Sequence, residues 1–226
     1  MRVFGFAALL LLSAAVPRSS GPLLAQSAPS PTIDELVNLK RVASPVLSPD
    51  GKTVAFTVRE TNWEENAFET EIWLADAASG EPRQLTQAAK SSLQPAFAPD
   101  NHTLGFLSDR DGGRQIYRID IAGGEAERLT KREDGVSAFA WAPDGKSVAF
   151  TALDAKTQAM KDRDERWGEI RMEDEDQRYT HLYVMDLATR ETRALTWGSF
   201  VVGSFDWSPD GTRIAFDHRT TSDAVR

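Results

Sequence analysis

The sequence predicts an all-β protein, an incomplete β-propeller of four-stranded antiparallel blades with three blades complete and half of a fourth. Three observations predict it. A turn of the type Pro-Asp-Gly or Pro-Asp-Asn occurs four times, with its prolines at 49, 99, 143 and 209. Each turn stands between two short apolar strands. After the first three turns a third and a fourth strand follow, which is typical of a blade repeated along the chain.

The segment before the propeller is a leader followed by a short helix. Residues 1–25 have the layout of a secretory signal peptide, with Arg2, a short apolar run and small residues before the expected cleavage site. Residues 26–43 form a linker and a helix at about 33–40, since Thr32 and Glu35 have the spacing of a capping box. The protein is therefore expected to be secreted or periplasmic, with no membrane attachment once the leader is removed.

The turn residues explain the hairpins. Proline presets φ for the turn, aspartate tolerates the next position, and glycine or asparagine adopts the left-handed conformation that closes it. The second strand then alternates apolar, small and Phe residues, as in Val54-Ala55-Phe56. Alternation places the two apolar residues on one face of the sheet and the small residue on the other.

The blades are expected at about 44–86, 94–130, 137–196 and 203–226, all within a partial propeller over 44–226. The third blade carries a charged insertion at 154–178, expected to be a solvated loop or surface helix that docks through Trp167, Ile170 and Met172. The fourth blade has only two strands. Because a closed propeller packs its first blade against its last, we expect the chain to be the beginning of a longer protein.

Composition excludes several classes of function. The net charge of −8 argues against non-specific nucleic-acid binding, and the absence of cysteine excludes disulfides and thiolate sites. The three histidines are widely separated, so no metal site and no cofactor are expected. The acidic run at 173–176 lacks an alternating ligand loop, so a solvated surface is favoured over a calcium site.

Several repeated residues have a structural interpretation. The aromatic residues of the third strands are expected in the core between blades, and the aspartates that end those strands are expected to start turns. The aromatic residues are Trp73, Tyr117 and Tyr183, and the aspartates are Asp76, Asp120 and Asp186. His181 opens a third strand and is expected at an edge, and His102 follows a turn and is expected to be exposed.

The opening "TIDELVNLKRVASPVLSPDGKTVAFTV" and the blade text "SPDG…AF…IW…D…G…LT" resemble the prolyl oligopeptidase-type serine peptidases, relatives of dipeptidyl peptidase IV and acylaminoacyl peptidase. The resemblance covers about 32–226 and lies in the TolB-like (WD40-like) propeller of that family. It implies a propeller that restricts the access of peptide substrates to a downstream α/β-hydrolase domain, which would be its partner.

The resemblance carries no catalytic residue onto this chain. The family's serine lies in a nucleophile elbow, and the chain contains no G-x-S-x-G. Glu64 and Glu65 are the candidates for substrate binding, because a glutamate pair captures the substrate's amino terminus in some relatives. The pair lies in the loop between the second and third strands of blade 1, where its position matches no motif of the family that can be aligned. The alternatives for the whole protein are a non-enzymatic TolB-like periplasmic propeller that binds other proteins, and the propeller of an amidohydrolase-type fusion.

Overall fold

The computed structural model describes residues 30–168 and 177–220. The predicted signal peptide, most of the linker, the acidic run at 173–176 and the last six residues lie outside the described residues. The described part forms three four-stranded antiparallel sheets and one two-stranded sheet, each with its strands in chain order. The all-β prediction with three complete blades and half of a fourth is confirmed.

The strands are short and follow one another as hairpins. Blade 1 contains β1 (Arg41–Leu47), β2 (Thr53–Asn62), β3 (Ala67–Asp76) and β4 (Pro82–Gln84). Blade 2 contains β5 (Ser92–Phe97), β6 (Thr103–Ser108), β7 (Gln115–Asp120) and β8 (Glu127–Arg128). Blade 3 contains β9 (Ala138–Trp141), β10 (Ser147–Leu153), β11 (Thr180–Asp186) and β12 (Thr192–Ala194). Blade 4 contains β13 (Val201–Trp207) and β14 (Ile214–Arg219).

The four repeated turns have the predicted conformation. Their closing residues all have positive φ, at 72° for Gly51, 63° for Asn101, 67° for Gly145 and 69° for Gly211. The aspartate before each accepts backbone N–H groups two or three residues further on. We call this end of the blades the turn face and the opposite end the loop face. Neighbouring turns also touch, since the Asp50 amide donates to Asn101 Oδ1 at 2.8 Å.

The two sides of each sheet have different sizes of side chain. We call the side with the apolar and Phe residues of the second strand the Phe face, and the side with its small residue the small face. In blade 2, Leu104 and Phe106 of the Phe face are fully buried in one cluster with Ala55 on the small face of blade 1. A Cβ at Gly105 would lie 2.8 Å from Phe139 of blade 3. Each small face therefore receives the bulky side chains of the next blade.

The two outer sides of this row of blades are uncovered among the described residues. On the Phe face of blade 1, Leu47 is 58% exposed and Trp73 is half-buried, whereas Tyr117 at the same position in blade 2 is 1% exposed. On the small face of blade 4, Ala215 is exposed. The row of blades is therefore open at both sides within the described part of the chain.

Both helices lie at the loop face. Helix α1 (Ile33–Val37) begins at the predicted capping box, in which Glu35 N donates to Thr32 Oγ1 at 3.2 Å and Thr32 N donates to Glu35 Oε2 at 2.8 Å. Helix α2 (Gln158–Trp167) lies in the insertion of blade 3. The predicted contact through Trp167 is wrong, because this side chain is 62% exposed and Met160 is the buried residue of α2. Ile170 and Met172 lie outside the described residues.

Candidate functional site

Glu64 and Glu65 lie at the tip of the β2–β3 hairpin. Both side chains are exposed, and both backbone amides donate to Asn62 Oδ1, at 3.0 and 3.1 Å. The tip is attached to the end of α1, since Trp63 Nε1 donates to Asn38 Oδ1 at 2.8 Å. The structure thus places the two glutamates side by side on a braced hairpin at the loop face.

A shallow cleft of about 380 Å³ lies beside this tip. Glu64 lines it with Glu60 and Glu69, which are directly opposite each other on β2 and β3, while Glu65 is not part of the lining. Glu60 pairs with Lys40 at 2.7 Å, and Glu69 accepts from Asn62 Nδ2 at 2.7 Å. The arrangement offers carboxylate oxygens and can bind a cationic group.

A second cleft, of about 460 Å³, lies on the open Phe face of blade 1. Its lining includes Glu60, Glu69, Glu71, Trp73 and Val58. The sequence prediction did not include Glu60, Glu69 and Glu71, although the alternation of side chains along β2 and β3 indicates which of them share a face. Residues two apart on a strand share a face, so Glu69, Glu71 and Trp73 line the same side of the sheet.

A buried threonine connects the strands of each complete blade. Thr86, Thr130 and Thr196 each accept the backbone N–H of a third-strand residue, at 2.8 to 2.9 Å. Each is also hydrogen-bonded to the side chain at one equivalent position, which is occupied by Glu71, Gln115 and His181 in the three blades.

His181 is part of this network, and its expected place at a strand edge is wrong. It is 2% exposed and lies on β11, between β10 and β12. Its Nε2 is 3.0 Å from the carbonyl oxygen of Gly198, so that nitrogen carries the proton and donates. Its Nδ1 lies 3.1 Å from the Thr196 hydroxyl. The contacts of His181 are those of a structural residue.

Tyr117 and Tyr183 lie between blades, as predicted, and are 1% and 9% exposed. The same prediction for Trp73 is wrong, because this side chain is half-buried on the Phe face of blade 1, which no described blade covers. Burial and a hydrogen bond to Asp111 raise the pKa of Tyr117 to about 12. Burial likewise raises the pKa of Tyr183. Both phenols are therefore protonated at neutral pH and serve as packing groups.

The aspartates that end the third strands start turns, as predicted. Asp76 Oδ1 accepts from the amides of Ala78 and Ser79, and Asp186 Oδ1 accepts from those of Ala188 and Thr189. These backbone hydrogen bonds lower the pKa of both carboxyls.

In the part of the chain that the structure describes, no serine is hydrogen-bonded to a histidine. His102 is exposed at the turn face, as predicted, and His218 contacts Phe200 with ring centroids 5.0 Å apart and ring planes tilted by 55°. Within residues 30–168 and 177–220 no three Asp, Glu or His side chains form a metal-binding group. No helix in these ranges is long and apolar enough to cross a bilayer.

Two curated relatives of the chain are peptidases by name. Over 87 residues, 38% of this chain and 13% of the relative, it is 32% identical to the uncharacterized peptidase YuxL of Bacillus subtilis. Over 110 residues, 49% of this chain and 16% of the relative, it is 27% identical to dipeptidyl-peptidase 5 of Porphyromonas gingivalis. The matched segments are therefore a small part of each relative.

Among solved structures, TolB from Acinetobacter baumannii superimposes with a TM-score of 0.57 and 24% identity, over 81% of this chain and 39% of TolB. That likeness shows a shared fold. The sequence profile of the TolB beta propeller domain matches residues 32–174. Since this match covers more than half of the sequence and the blades are present in the structure, the chain belongs to the TolB beta propeller domain family.

Proposed function

We propose that this chain is the N-terminal propeller portion of an exported serine peptidase, and that the propeller limits the access of peptides to a downstream α/β-hydrolase domain. The observation that carries the proposal is the similarity of the blades to two peptidases, YuxL and dipeptidyl-peptidase 5. In such a protein the described blades supply walls and no catalytic group, because nucleophile, base and oxyanion hole belong to the hydrolase domain.

The open sides of blades 1 and 4 support a larger propeller. The three blade contacts inside the chain bury a Phe face against a small face, and the same two kinds of face are uncovered at the sides. Exposed apolar faces of this kind mark interaction surfaces. Further blades of the same repeat are the partners that fit them.

The loop face supports the docking of another domain. Among the described residues, most of the exposed large apolar side chains lie there, on α1 and just after it, on the β2–β3 hairpin and on the connections of blade 3. They are Ile33, Leu36, Leu39, Trp63, Phe68, Trp167 and Trp197. The turn face presents Asp, Gly, Lys and Ser residues instead. We therefore assign the loop face to the hydrolase domain and the turn face to solvent.

At the loop face, Glu64 and Glu65 are candidates for contact with a peptide's amino terminus, with Glu64 favoured because it lines the cleft with Glu60 and Glu69. The signal-peptide-like sequence at 1–25 supports export to the periplasm or the medium. The second candidate function, a non-enzymatic TolB-like propeller that binds other proteins, is favoured by the TolB fold alone.

The test compares the 226-residue chain with the product of its complete reading frame. We expect the full product to hydrolyse peptide or aminoacyl nitroanilides and to lose this activity with a serine-directed phosphonate, while the 226-residue chain is inactive. A full product of six or seven blades with no nucleophile elbow and no turnover would support the TolB-like alternative. Phosphonate-sensitive turnover by the 226-residue chain would refute the assignment of the chemistry to another domain.

A further inference from the structure

A stacked aromatic pair lies at the centre of the Phe face in blades 2 and 3. Phe106 stacks on Tyr117 with ring centroids 5.7 Å apart, and Phe150 stacks on Tyr183 at 5.5 Å. In blade 1 the strand register pairs Phe56 with Trp73, which has the place of the two tyrosines. The three blades can therefore be compared position by position.

In blades 2 and 3 an arginine lies over the aromatic ring of the third strand. The guanidinium carbon of Arg110 lies 4.9 Å from the centroid of Tyr117, and that of Arg132 lies 4.5 Å from the centroid of Tyr183. Arg110 follows the second strand of its own blade. Arg132 comes instead from the segment between β8 and β9, so the preceding blade supplies it to blade 3. A cation over an aromatic face is attracted by the ring quadrupole, and tryptophan is the strongest partner.

Blade 1 has the same aromatic position and carboxylates around it. Its second strand places Glu60 where blade 2 has Arg110, and the 460 Å³ cleft beside Trp73 is also lined by Glu69 and Glu71. Lys40 pairs with Glu60 at the outer rim. Among the described residues, no arginine or lysine lies over the Trp73 ring.

We propose that this cleft binds an arginine side chain from the blade that covers the Phe face of blade 1. The contact of Arg132 with Tyr183 is the template, because there too the arginine comes from the segment joining the fourth strand of one blade to the next. Asp154 has the position of Glu60 in that blade, and Arg132 donates to the neighbouring Leu153 carbonyl at 3.0 Å. The partner is a further blade with arginine at the equivalent of position 132.

Glu69 and Glu71 have further hydrogen-bond acceptor positions for this arginine. Glu69 accepts from Asn62 Nδ2, and Glu71 accepts from the Thr86 hydroxyl and from the Ala88 amide at 2.9 Å. An ionised carboxylate has about four acceptor positions, so each can also receive a guanidinium N–H. The site is independent of the peptidase assignment, since any closed propeller would cover this face.

The experiment follows the indole N–H resonance of Trp73 in the ¹⁵N-labelled 226-residue chain, assigned with Trp73→Phe. N-acetyl-arginine amide is the probe, and N-acetyl-citrulline amide is its neutral control of the same shape. We expect a saturable shift with the arginine probe alone. The Trp141 indole, which donates to Ala96 O at 3.0 Å, is the internal reference and should not move.

Charge variants complete the test. Glu69→Gln should weaken the arginine effect by roughly two- to fivefold, the scale of one exposed ion pair. Glu81→Gln removes an exposed carboxylate of the same blade at the turn face and should leave the effect unchanged. Equal shifts from arginine and citrulline, no saturable shift, or equal losses in the two variants would each overturn the proposal.

Discussion

The threonine that follows the fourth strand is the residue that ties each complete blade together. In blade 2, Thr130 Oγ1 accepts the Ile116 amide at 2.9 Å and donates to Gln115 Oε1 at 2.9 Å. Gln115 in turn accepts from the Arg132 amide and donates to the Arg132 carbonyl. One hydroxyl therefore joins the third strand to the segment that leads into blade 3.

Thr130→Val should lower the free energy of unfolding by about 1–3 kcal/mol, because valine keeps the shape but leaves a buried N–H and a buried amide oxygen each short of one partner. Urea unfolding measures the change. The control is Thr53→Val on β2, a half-buried strand position where we expect a change within about 0.5 kcal/mol. Equal effects at the two sites would contradict the role of the hydroxyl.

The insertion of blade 3 is held by an ion pair to the preceding connection. Arg178 Nη1 donates to Asp134 Oδ1 at 3.0 Å, and its Nε donates to the carbonyl oxygen of Asp154 at 2.7 Å. The hydrogen bond from Arg178 holds the pKa of the Asp134 carboxyl below its usual value. The pair thus connects the end of the insertion to the segment between β8 and β9.

This pair should make stability depend on pH in the acid range. Since the folded-state pKa of Asp134 is lowered, its contribution is complete above the unfolded value of about 4 and is lost as the pH falls through the folded value. Asp134→Asn should therefore reduce the slope of unfolding free energy between about pH 5 and pH 2. Asp109→Asn, at an exposed loop-face site, is the control. An unchanged slope in Asp134→Asn would contradict the assignment.

At the scale of the whole molecule, the same strand position has different surroundings in different blades. Leu47, Phe97, Trp141 and Trp207 all end a first strand just before the repeated turn. Trp141 packs on blade 2 and donates its indole N–H to Ala96 O, whereas Leu47 is 58% exposed on the open side. The cost of truncation should therefore depend on whether a neighbouring blade is present.

Trp141→Ala should cost about 2 kcal/mol or more, because it empties the contact between blades 2 and 3. Leu47→Ala should cost about 0.5 kcal/mol or less in the 226-residue chain. Thermal or urea unfolding of both variants measures the difference. If Leu47→Ala were as destabilising as Trp141→Ala, the Phe face of blade 1 would have to be covered, and the open arrangement would be wrong.

Much of the fold could be predicted because its turns and strands are local. Pro-Asp-Gly selects a turn within four residues, and the alternation of Val54-Ala55-Phe56 identifies the two faces of a strand. The place of His181 could not be predicted in the same way. Its burial depends on Thr196 and Gly198, which approach it only after the third and fourth strands pair.

The candidate site likewise contains residues that could be predicted from the sequence and residues that could not. Glu64 and Glu65 are adjacent in the sequence and could be named from it, while Glu60 and Glu69 become neighbours only through the register of β2 and β3. Strand pairing brings together residues that are not adjacent in the chain, and a single sequence does not state that register.

The blades, their turns and the two kinds of face could be predicted from the order of the residues, and the chain contains no G-x-S-x-G motif, because each of these features depends on residues close together in the chain. The packed structure was needed to learn which faces meet, which side chains a neighbouring blade buries, and that Trp73 lies beside three carboxylates on a side that no described blade covers. These depend on contacts between blades, in which the small face of one sheet must match the bulky side chains of the next.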